Sequence, residues 1–403
     1  MQVTTRGWIA ATLAVGLLSG CSDLLTGMRL GLPDQTASPM MAKDGWAYPA
    51  GGASDGAPGS GTEQGTGLKG GERDDNSDFA GYLTYLSKAE HDPVIAGLRI
   101  DVSERYALRV VDAASKSVPN AVVTVSLGGE TVLSARTPAD GRIYFHPKAF
   151  PQTQASTADL TVSVTKGAET VSRLLARDGA VPDAFALPST RGTIPPKVDL
   201  CFVLDVTGSM GDELSQIQAT IGEIAARIKS LPGSPSVRYG LVAYRDRGDD
   251  FVTRRHDFTE DLATFKQRLG TLAASGGGDY PEALNPALNE AVNLLSWDDG
   301  EAVRLAFVVG DAPPQLNDPQ DQVPYSRSMV KALEKGIKIY PLAASGLDAL
   351  GEYVFRQLAQ FTGGKFLFLT YGGQTSHQVG PVQENNIDDL VVGIVKAELS
   401  QLE

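Results

Sequence analysis

The feature that most constrains this chain is a continuous apolar stretch, residues 200–204, that ends in Asp205. Thr207 and Ser209 follow the aspartate at every second position. A continuous apolar pattern of this length is typical of a strand buried on both faces, as in a parallel sheet covered by helices. The end of such a strand would present a carboxylate and two hydroxyls. These are the oxygen ligands that hard divalent cations prefer.

Beyond residue 197, strand and helix patterns alternate. Apolar residues at intervals of three and four predict a helix over 214–231. Strands are predicted at 198–205, 237–245, 251–258, 303–311, 337–343 and 366–369. Further helices are predicted near 261–272, 287–295, 325–334, 347–361 and 387–402. We therefore predict an α/β, Rossmann-like domain over residues 197–403, with a mainly parallel sheet flanked by helices and an antiparallel third strand.

A second carboxylate, Asp311, ends the fourth predicted strand in Gly310-Asp311-Ala312-Pro313. If the strand order is 3-2-1-4-5-6, the first and fourth strands flank the point where the order reverses. Ligands bind beyond the carboxyl ends of the strands at such a point. We therefore expect Asp205 and Asp311 to lie close together. The alternative is that both residues merely cap helices or turns.

Together these motifs resemble the von Willebrand factor A (VWA) domain. The metal-ion-dependent adhesion site (MIDAS) of that family has Asp-x-Ser-x-Ser after the first strand, a Thr in a Gly-rich loop and an Asp after the fourth strand. The resemblance implies that Asp205, Thr207, Ser209 and Asp311 hold a divalent cation, with Mg²⁺ favoured over Ca²⁺ or Mn²⁺. The Gly-rich loop of this chain, residues 276–282, contains no Thr, and Asp279 is the candidate for that position.

Two residues at the end of the second predicted strand are expected to support this site. Arg245 could pair with Asp279 or with Asp246 and offset the acidity. A surface ion pair of little energetic value is the alternative. Three carboxylates around one divalent cation would leave a net negative charge, so an acidic group on a partner would be repelled.

Residues 1–20 are predicted to be an export signal, with Arg6 followed by a short apolar run and then Leu-Ser-Gly-Cys. The run is too short to span a bilayer. The last four residues resemble the lipobox of bacterial lipoproteins. This resemblance implies that Cys21 receives a lipid and anchors the chain to the cell envelope, and Ser22 favours the outer membrane.

Two further segments precede the α/β domain. Residues 21–92 are predicted to form a flexible tether, because the Gly- and Ser-rich part shows no periodicity and little apolar surface. Residues 97–187 are predicted to form a small all-β sandwich, from period-two alternation and Gly-containing turns. The pattern over 108–145 resembles the carboxypeptidase-regulatory-like, transthyretin-type sandwich, which implies a spacer or a binding module.

Composition excludes several classes of function. The net charge is −13 without a basic stripe, so we expect no nucleic-acid partner. There are only two cysteines, and if Cys21 carries lipid, Cys201 is expected to be a buried, unpaired residue. The four histidines do not have zinc-site spacing, and the chain lacks the Gly-x-Ser-x-Gly motif of a serine nucleophile.

These observations predict an envelope lipoprotein, not an enzyme, that binds a protein partner through a MIDAS. One alternative is a structural module whose metal only stabilises loops. A metal-assisted hydrolase is a third and weaker alternative, because no general base lies at a recognisable spacing from the carboxylates.

Overall fold

A computed structural model describes residues 68–177, 184–278, 280–370, 375, 377–380 and 383–403. The predicted signal segment 1–20, Cys21 and most of the predicted tether lie outside the described residues, as does Asp279. None of the helices in these ranges is both long enough and apolar enough to cross a lipid bilayer.

The described residues form strands and helices in a mixed order. The strands are β1 (Lys69–Arg73), β2 (Tyr106–Val111), β3 (Val122–Leu127), β4 (Glu130–Arg136), β5 (Arg142–Phe145), β6 (Leu160–Lys166), β7 (Glu169–Leu175), β8 (Phe185–Ala186), β9 (Lys197–Asp205), β10 (Ser236–Tyr244), β11 (Thr253–Thr259), β12 (Val303–Gly310), β13 (Lys338–Ala343), β14 (Phe366–Leu369) and β15 (Asn385–Asn386). The helices are α1 (Phe79–Ala89), α2 (Pro93–Gly97), α3 (Pro151–Gln154), α4 (Gly211–Lys229), α5 (Leu262–Gly270), α6 (Leu284–Asn289), α7 (Tyr325–Lys335), α8 (Ala349–Thr362) and α9 (Ile387–Ser400).

The central sheet has eight strands in the order β11-β10-β9-β12-β13-β14-β1-β15. Its first six strands follow the order 3-2-1-4-5-6. The neighbouring strands β10, β9, β12, β13 and β14 are parallel, and β11 is antiparallel to β10. Helices α4, α5 and α9 contribute to the apolar core on one face of the sheet, and α6, α7 and α8 contribute to the core on the other. The predicted α/β class, with a mainly parallel sheet between helices, is confirmed.

The segment before the β-rich region is part of this sheet. Strand β1 lies between β14 and β15 and is antiparallel to both. Gly70 is required there, because a Cβ atom at this position would lie 2.3 Å from the carbonyl oxygen of Phe368 and 2.4 Å from Cδ1 of Ile387. Helices α1 and α2 then pack against α8. The prediction that a flexible tether extends to residue 92 is therefore wrong for residues 69–92. This segment contains β1 and α1, which pack against β14 and α8, almost 300 residues away in the sequence.

A buried ion pair fastens this segment to α8. The carboxylate of Asp75 accepts hydrogen bonds from Nε and Nη2 of Arg356, at 2.8 and 2.7 Å, and both side chains are about 99% buried. The Arg356 guanidinium also lies over the ring of Tyr85, 3.6 Å from its centroid. Arg356 also pairs with Glu352 at 3.1 Å. Because these charges have been removed from water, each depends on the opposite charges beside it for compensation.

A module of two small sheets is inserted between α2 and β9. Its sheets have the orders β5-β2-β8 and β4-β3-β6-β7, and their inner faces share one apolar core. Ion pairs join it to the central domain: Lys338, at the start of β13, contacts Asp140 at 2.9 Å, and Lys166 contacts Glu301 at 2.6 Å. The module therefore packs against the amino ends of β12 and β13. Its resemblance to transthyretin-type sandwiches stays a prediction.

We predict that Asp75→Ala lowers the free energy of unfolding by about 3–5 kcal/mol, because it removes the bidentate partner of the buried Arg356 guanidinium and leaves it only Glu352 as a counter-charge. Urea unfolding followed by circular dichroism measures this loss. Glu72→Ala is the matched control in the same segment, because it breaks only the partly exposed pair with Lys365 and should cost about 1 kcal/mol or less. Equal, small losses in the two variants would show that the segment does not contribute to domain stability.

Candidate metal-binding site

Asp205 lies at the carboxyl end of β9 and is completely buried. Its Oδ1 accepts hydrogen bonds from the backbone N–H of Thr207 at 2.9 Å and from the Thr207 hydroxyl at 2.7 Å. Its Oδ2 has no hydrogen-bond partner among the described residues. The turn after β9 therefore holds one carboxylate oxygen and leaves the other without compensation, which is costly for a buried charge.

The hydroxyls of Thr207 and Ser209 lie side by side above this carboxylate. Their oxygen atoms are 3.1 Å apart. Thr207 is buried, whereas Ser209 is exposed and precedes the first turn of α4. The pair therefore connects the buried end of β9 to solvent, and a small ion could enter along this path.

Asp311 comes directly after β12, the strand parallel and adjacent to β9. The register pairs Leu204 with Val309, so Gly310 stands beside Asp205. A Cβ atom on Gly310 would lie 3.4 Å from Oδ2 of Asp205, and Asp311 is the next residue. Its Oδ1 is buried without a hydrogen-bond partner in the described chain. The structure thus brings together Asp205, Thr207, Ser209 and Asp311. That they hold a cation stays a prediction.

The proximity of the acidic groups changes their protonation. Burial, and then the negative charge of Asp311, raise the pKa of Asp205 to about 7. Burial also raises the pKa of Asp311, and the charge of Glu213 adds to this, while a hydrogen bond from Ser209 opposes it. Tyr244, the residue of β10 that pairs with Asp205, has its pKa raised by burial and then by the charges of Asp205 and Asp311. In the absence of a cation, the site therefore holds protons more tightly than ordinary carboxylates do.

The Gly-rich loop packs directly on the turn after β9. The carbonyl oxygen of Gly276 accepts a hydrogen bond from the N–H of Gly208 at 2.9 Å. Gly277 has φ +71°, and a Cβ atom there would lie 2.8 Å from Cβ of Thr207 and 2.9 Å from Oε1 of Glu282. The loop can approach the site this closely only because it lacks side chains at these points.

The two predicted supporting residues occupy different environments. Arg245 donates to the carbonyl oxygen of Ala273 at 2.9 Å, lies 3.6 Å from Asp250, and stacks over Phe251. These contacts hold the chain around the end of β10 in place. They are not evidence for a cation at the site. Asp246 is buried and accepts a hydrogen bond from Gln315 at 2.6 Å. A supporting role for Arg245 and Asp246 stays a prediction, as does ligation by Asp279.

Sequence reasoning missed three acidic residues around the site. Glu282 is 4% exposed and faces Thr207 across Gly277. Asp249 accepts hydrogen bonds from the N–H groups of Gly277 and Asp246, at 2.9 and 3.1 Å, and so fixes the Gly-rich loop. Glu213, in the first turn of α4, accepts a hydrogen bond from the N–H of Ser345 at 3.1 Å. Glu282 is the last residue of the Gly-rich motif, and this position is the only feature of the sequence that could have identified it as part of the site.

The residues present fit a small, hard cation. Across the described ranges, no three acidic, His or Cys side chains are placed to hold one ion together. A divalent ion with a strongly held hydration shell needs less, because Mg²⁺ is usually bound by one or two carboxylates and keeps several waters. The unpartnered buried oxygens of Asp205 and Asp311, beside two hydroxyls, meet that requirement.

Comparisons with known proteins address the α/β domain. Residues 199–371 match the family model of the von Willebrand factor A domain. Over 136 residues the chain is 33% identical to Hemicentin-2 of Mus musculus, covering 33% of this chain and 3% of that protein. Over 99 residues it is 37% identical to von Willebrand factor A domain-containing protein 7 of Homo sapiens, covering 25% of this chain and 10% of that protein. The chain thus spans about a tenth or less of these relatives.

Two solved structures show more distant likeness. An aerotolerance-related membrane protein from Bacteroides fragilis aligns with 51% of this chain and 99% of its own, at 14% identity and a TM-score of 0.36. The pilus adhesin SpaC from Lactobacillus rhamnosus GG aligns with 60% of this chain and 32% of its own, at 10% identity and a TM-score of 0.36. The family match agrees with the observed strand order, and residues 199–371 are a von Willebrand factor A domain.

Proposed function

We propose that this protein binds a divalent cation, Mg²⁺ in preference to Ca²⁺ or Mn²⁺, and recognises a protein partner at the bacterial cell envelope through that cation. A von Willebrand factor A domain indicates protein–protein interaction or adhesion. The finer assignment rests on one observation. Two neighbouring parallel strands end in buried carboxylates, Asp205 and Asp311, each with an oxygen that no described residue partners.

In this proposal the four residues have separate roles. Asp205 and Asp311 supply negative charge and Thr207 supplies a hydroxyl from the floor of the site. Ser209, which is exposed, marks the side from which a partner approaches. When bound, the cation supplies a coordination position for an oxygen atom of the partner. The exposed ring of Tyr280, whose hydroxyl accepts a hydrogen bond from the N–H of Asp348 at 3.3 Å, forms part of the rim. Pro313 and Pro314, in the loop after β12, are buried and do not form part of this rim.

A purely structural metal is the alternative that the loop packing favours. Three loops meet at the site: the turn after β9 contacts the Gly-rich loop through Gly208 and Gly276, and Glu282 pairs with Pro314 in the loop after β12. An ion at their junction would stabilise all three. The two alternatives differ in whether partner binding requires the ion.

We predict that Mg²⁺ at about 100 times its Kd raises the Tm by about 5 °C at pH 8 and by less at pH 6. With a pKa of about 7 in the metal-free state, Asp205 is mostly ionised at pH 8 and mostly protonated at pH 6, so protons compete with the ion at the lower pH. Because this pKa is higher in the folded chain than in the unfolded chain, the metal-free protein should also lose stability between pH 6 and pH 8.

Differential scanning fluorimetry with and without Mg²⁺ at the two pH values measures both effects. Asp205→Asn should show no gain from Mg²⁺ and a weaker pH dependence. Asp257→Asn is a control, because the carboxylate of Asp257 lies on β11 and accepts hydrogen bonds from Ser296. If Mg²⁺ does not change the Tm of the wild-type protein at pH 8, the metal site is excluded.

We predict that capture of a partner from envelope extract requires the cation. Residues 22–403, which retain every described element, serve as bait with Mg²⁺, with EDTA, and with Asp205→Asn. Proteins retained by the wild type with Mg²⁺ should be lost under the other two conditions, as quantified by mass spectrometry. Retention of the same proteins in EDTA, together with a lower Tm, would assign the metal a structural role only.

We predict that Cys21 carries the lipid anchor, in the outer membrane rather than the inner one. The basis is the Leu-Ser-Gly-Cys sequence after a short apolar run. Cys21→Ser should move the protein from the membrane pellet to the soluble fraction of lysed bacterial cells, as followed by immunoblotting. Cys201→Ser is the control, because Cys201 is buried within β9. A Cys21→Ser protein that stays in the membrane pellet would refute the anchor.

A further inference from the structure

Glu282 is a buried carboxylate that is not one of the four candidate metal ligands. It is 4% exposed, and its Oε2 has no hydrogen-bond partner in the described chain. Its backbone is fixed on both sides, because its N–H donates to the carbonyl oxygen of Pro313 at 3.1 Å and its own carbonyl oxygen accepts from the N–H of Gln315 at 2.9 Å. The side chain is therefore anchored to the loop that follows Asp311.

The carboxylate of Glu282 points towards the candidate metal site. Its Oε1 and Cβ of Thr207 both lie within 3 Å of the point that a Cβ atom on Gly277 would occupy. Burial first, and then the charges of Asp205, Asp246, Asp311 and Asp249, raise the pKa of Glu282 to about 8. Glu282 thus faces Thr207 from the Gly-rich loop and is surrounded by negative charge.

No described side chain compensates this charge. Within the described ranges, Glu282 forms no ion pair. The nearby arginines are engaged elsewhere: Arg247 pairs with Asp318 and Asp321, and Arg245 binds the Ala273 carbonyl oxygen. A buried, unpaired carboxylate that is also surrounded by others destabilises the folded chain unless a cation or a proton neutralises it.

We propose that Glu282 is a positioning residue for the cation, accepting a hydrogen bond from a water of its hydration shell on the side of the Gly-rich loop. This inference rests on the proposed metal-binding function. The geometry favours a water-mediated role, because Glu282, Asp205 and Asp311 are not placed to hold one ion jointly by direct contact. A carboxylate that acts through water recognises an ion that keeps its waters.

This arrangement has a consequence for the choice of metal. Mg²⁺ gives up its waters reluctantly, whereas Ca²⁺ takes six to eight oxygen ligands in a flexible geometry. Removing a carboxylate that holds a water should therefore weaken Mg²⁺ binding more than Ca²⁺ binding. Glu282 would set the preference of the site for Mg²⁺, while Asp205 and Asp311 would provide its basic affinity.

The test is isothermal titration calorimetry of the full chain with Mg²⁺ and with Ca²⁺, for wild type, Glu282→Gln and Asp205→Asn. Glutamine keeps the shape of a protonated glutamate and removes only the charge. We expect Glu282→Gln to lower the Mg²⁺ affinity about tenfold or more and the Ca²⁺ affinity by less. Its metal-free Tm at pH 8 should rise, because one of several repelling carboxylates is gone.

Glu290→Gln is the matched control. Glu290 lies in the π-helical turn Glu290–Leu294 after α6, and its side chain accepts a hydrogen bond from Thr253, so the same substitution there should leave the metal affinities unchanged. A Glu282→Gln protein with wild-type Mg²⁺ affinity, or one with a lower metal-free Tm, would overturn the role of Glu282. In that case the loss of binding in Asp205→Asn would still support the metal site itself. A wild type that binds no Mg²⁺ would overturn both proposals.

Discussion

Asp205 and Asp311 end two neighbouring parallel strands, and the cost of burying their carboxylates is the constraint on which this end of the sheet depends. Burial, and then the negative charge of Asp311, raise the pKa of Asp205 to about 7. Only protonation or a bound cation relieves the cost of such a buried charge.

The rest of the architecture packs on other parts of the sheet. Strand β1 adds to the sheet beyond β14, and the buried pair of Asp75 and Arg356 fixes the following helices on α8. The inserted two-sheet module packs at the amino ends of β12 and β13, through Lys338 and Asp140. Neither of these contacts involves the carboxyl ends of β9 and β12. The fold therefore separates the parts that stabilise the domain from the loops that would bind a ligand.

Local sequence patterns predicted the α/β order, the antiparallel β11 and the convergence of Asp205 and Asp311, because continuous apolar strands and their carboxyl ends follow from short stretches of sequence. They could not predict β1. Residues 69–73 are Lys-Gly-Gly-Glu-Arg, without apolar alternation, and they form a strand only because β14 and β15 supply their hydrogen bonds. Glu282 was missed for a related reason, since its burial depends on the loop after β12, which is distant in sequence.

If the site binds a partner through a cation, as proposed, the balance of charge constrains what that partner can offer. Asp205 and Asp311 carry two negative charges when ionised, which one divalent cation neutralises. Glu282 adds a third within the same buried region. A carboxylate from a partner would therefore enter a region that is already negative, and it would have to give up its own hydration to do so. A neutral oxygen donor, such as a hydroxyl or an amide carbonyl, could reach the cation without that penalty. The same negative charge that favours retention of the metal thus disfavours an acidic partner group.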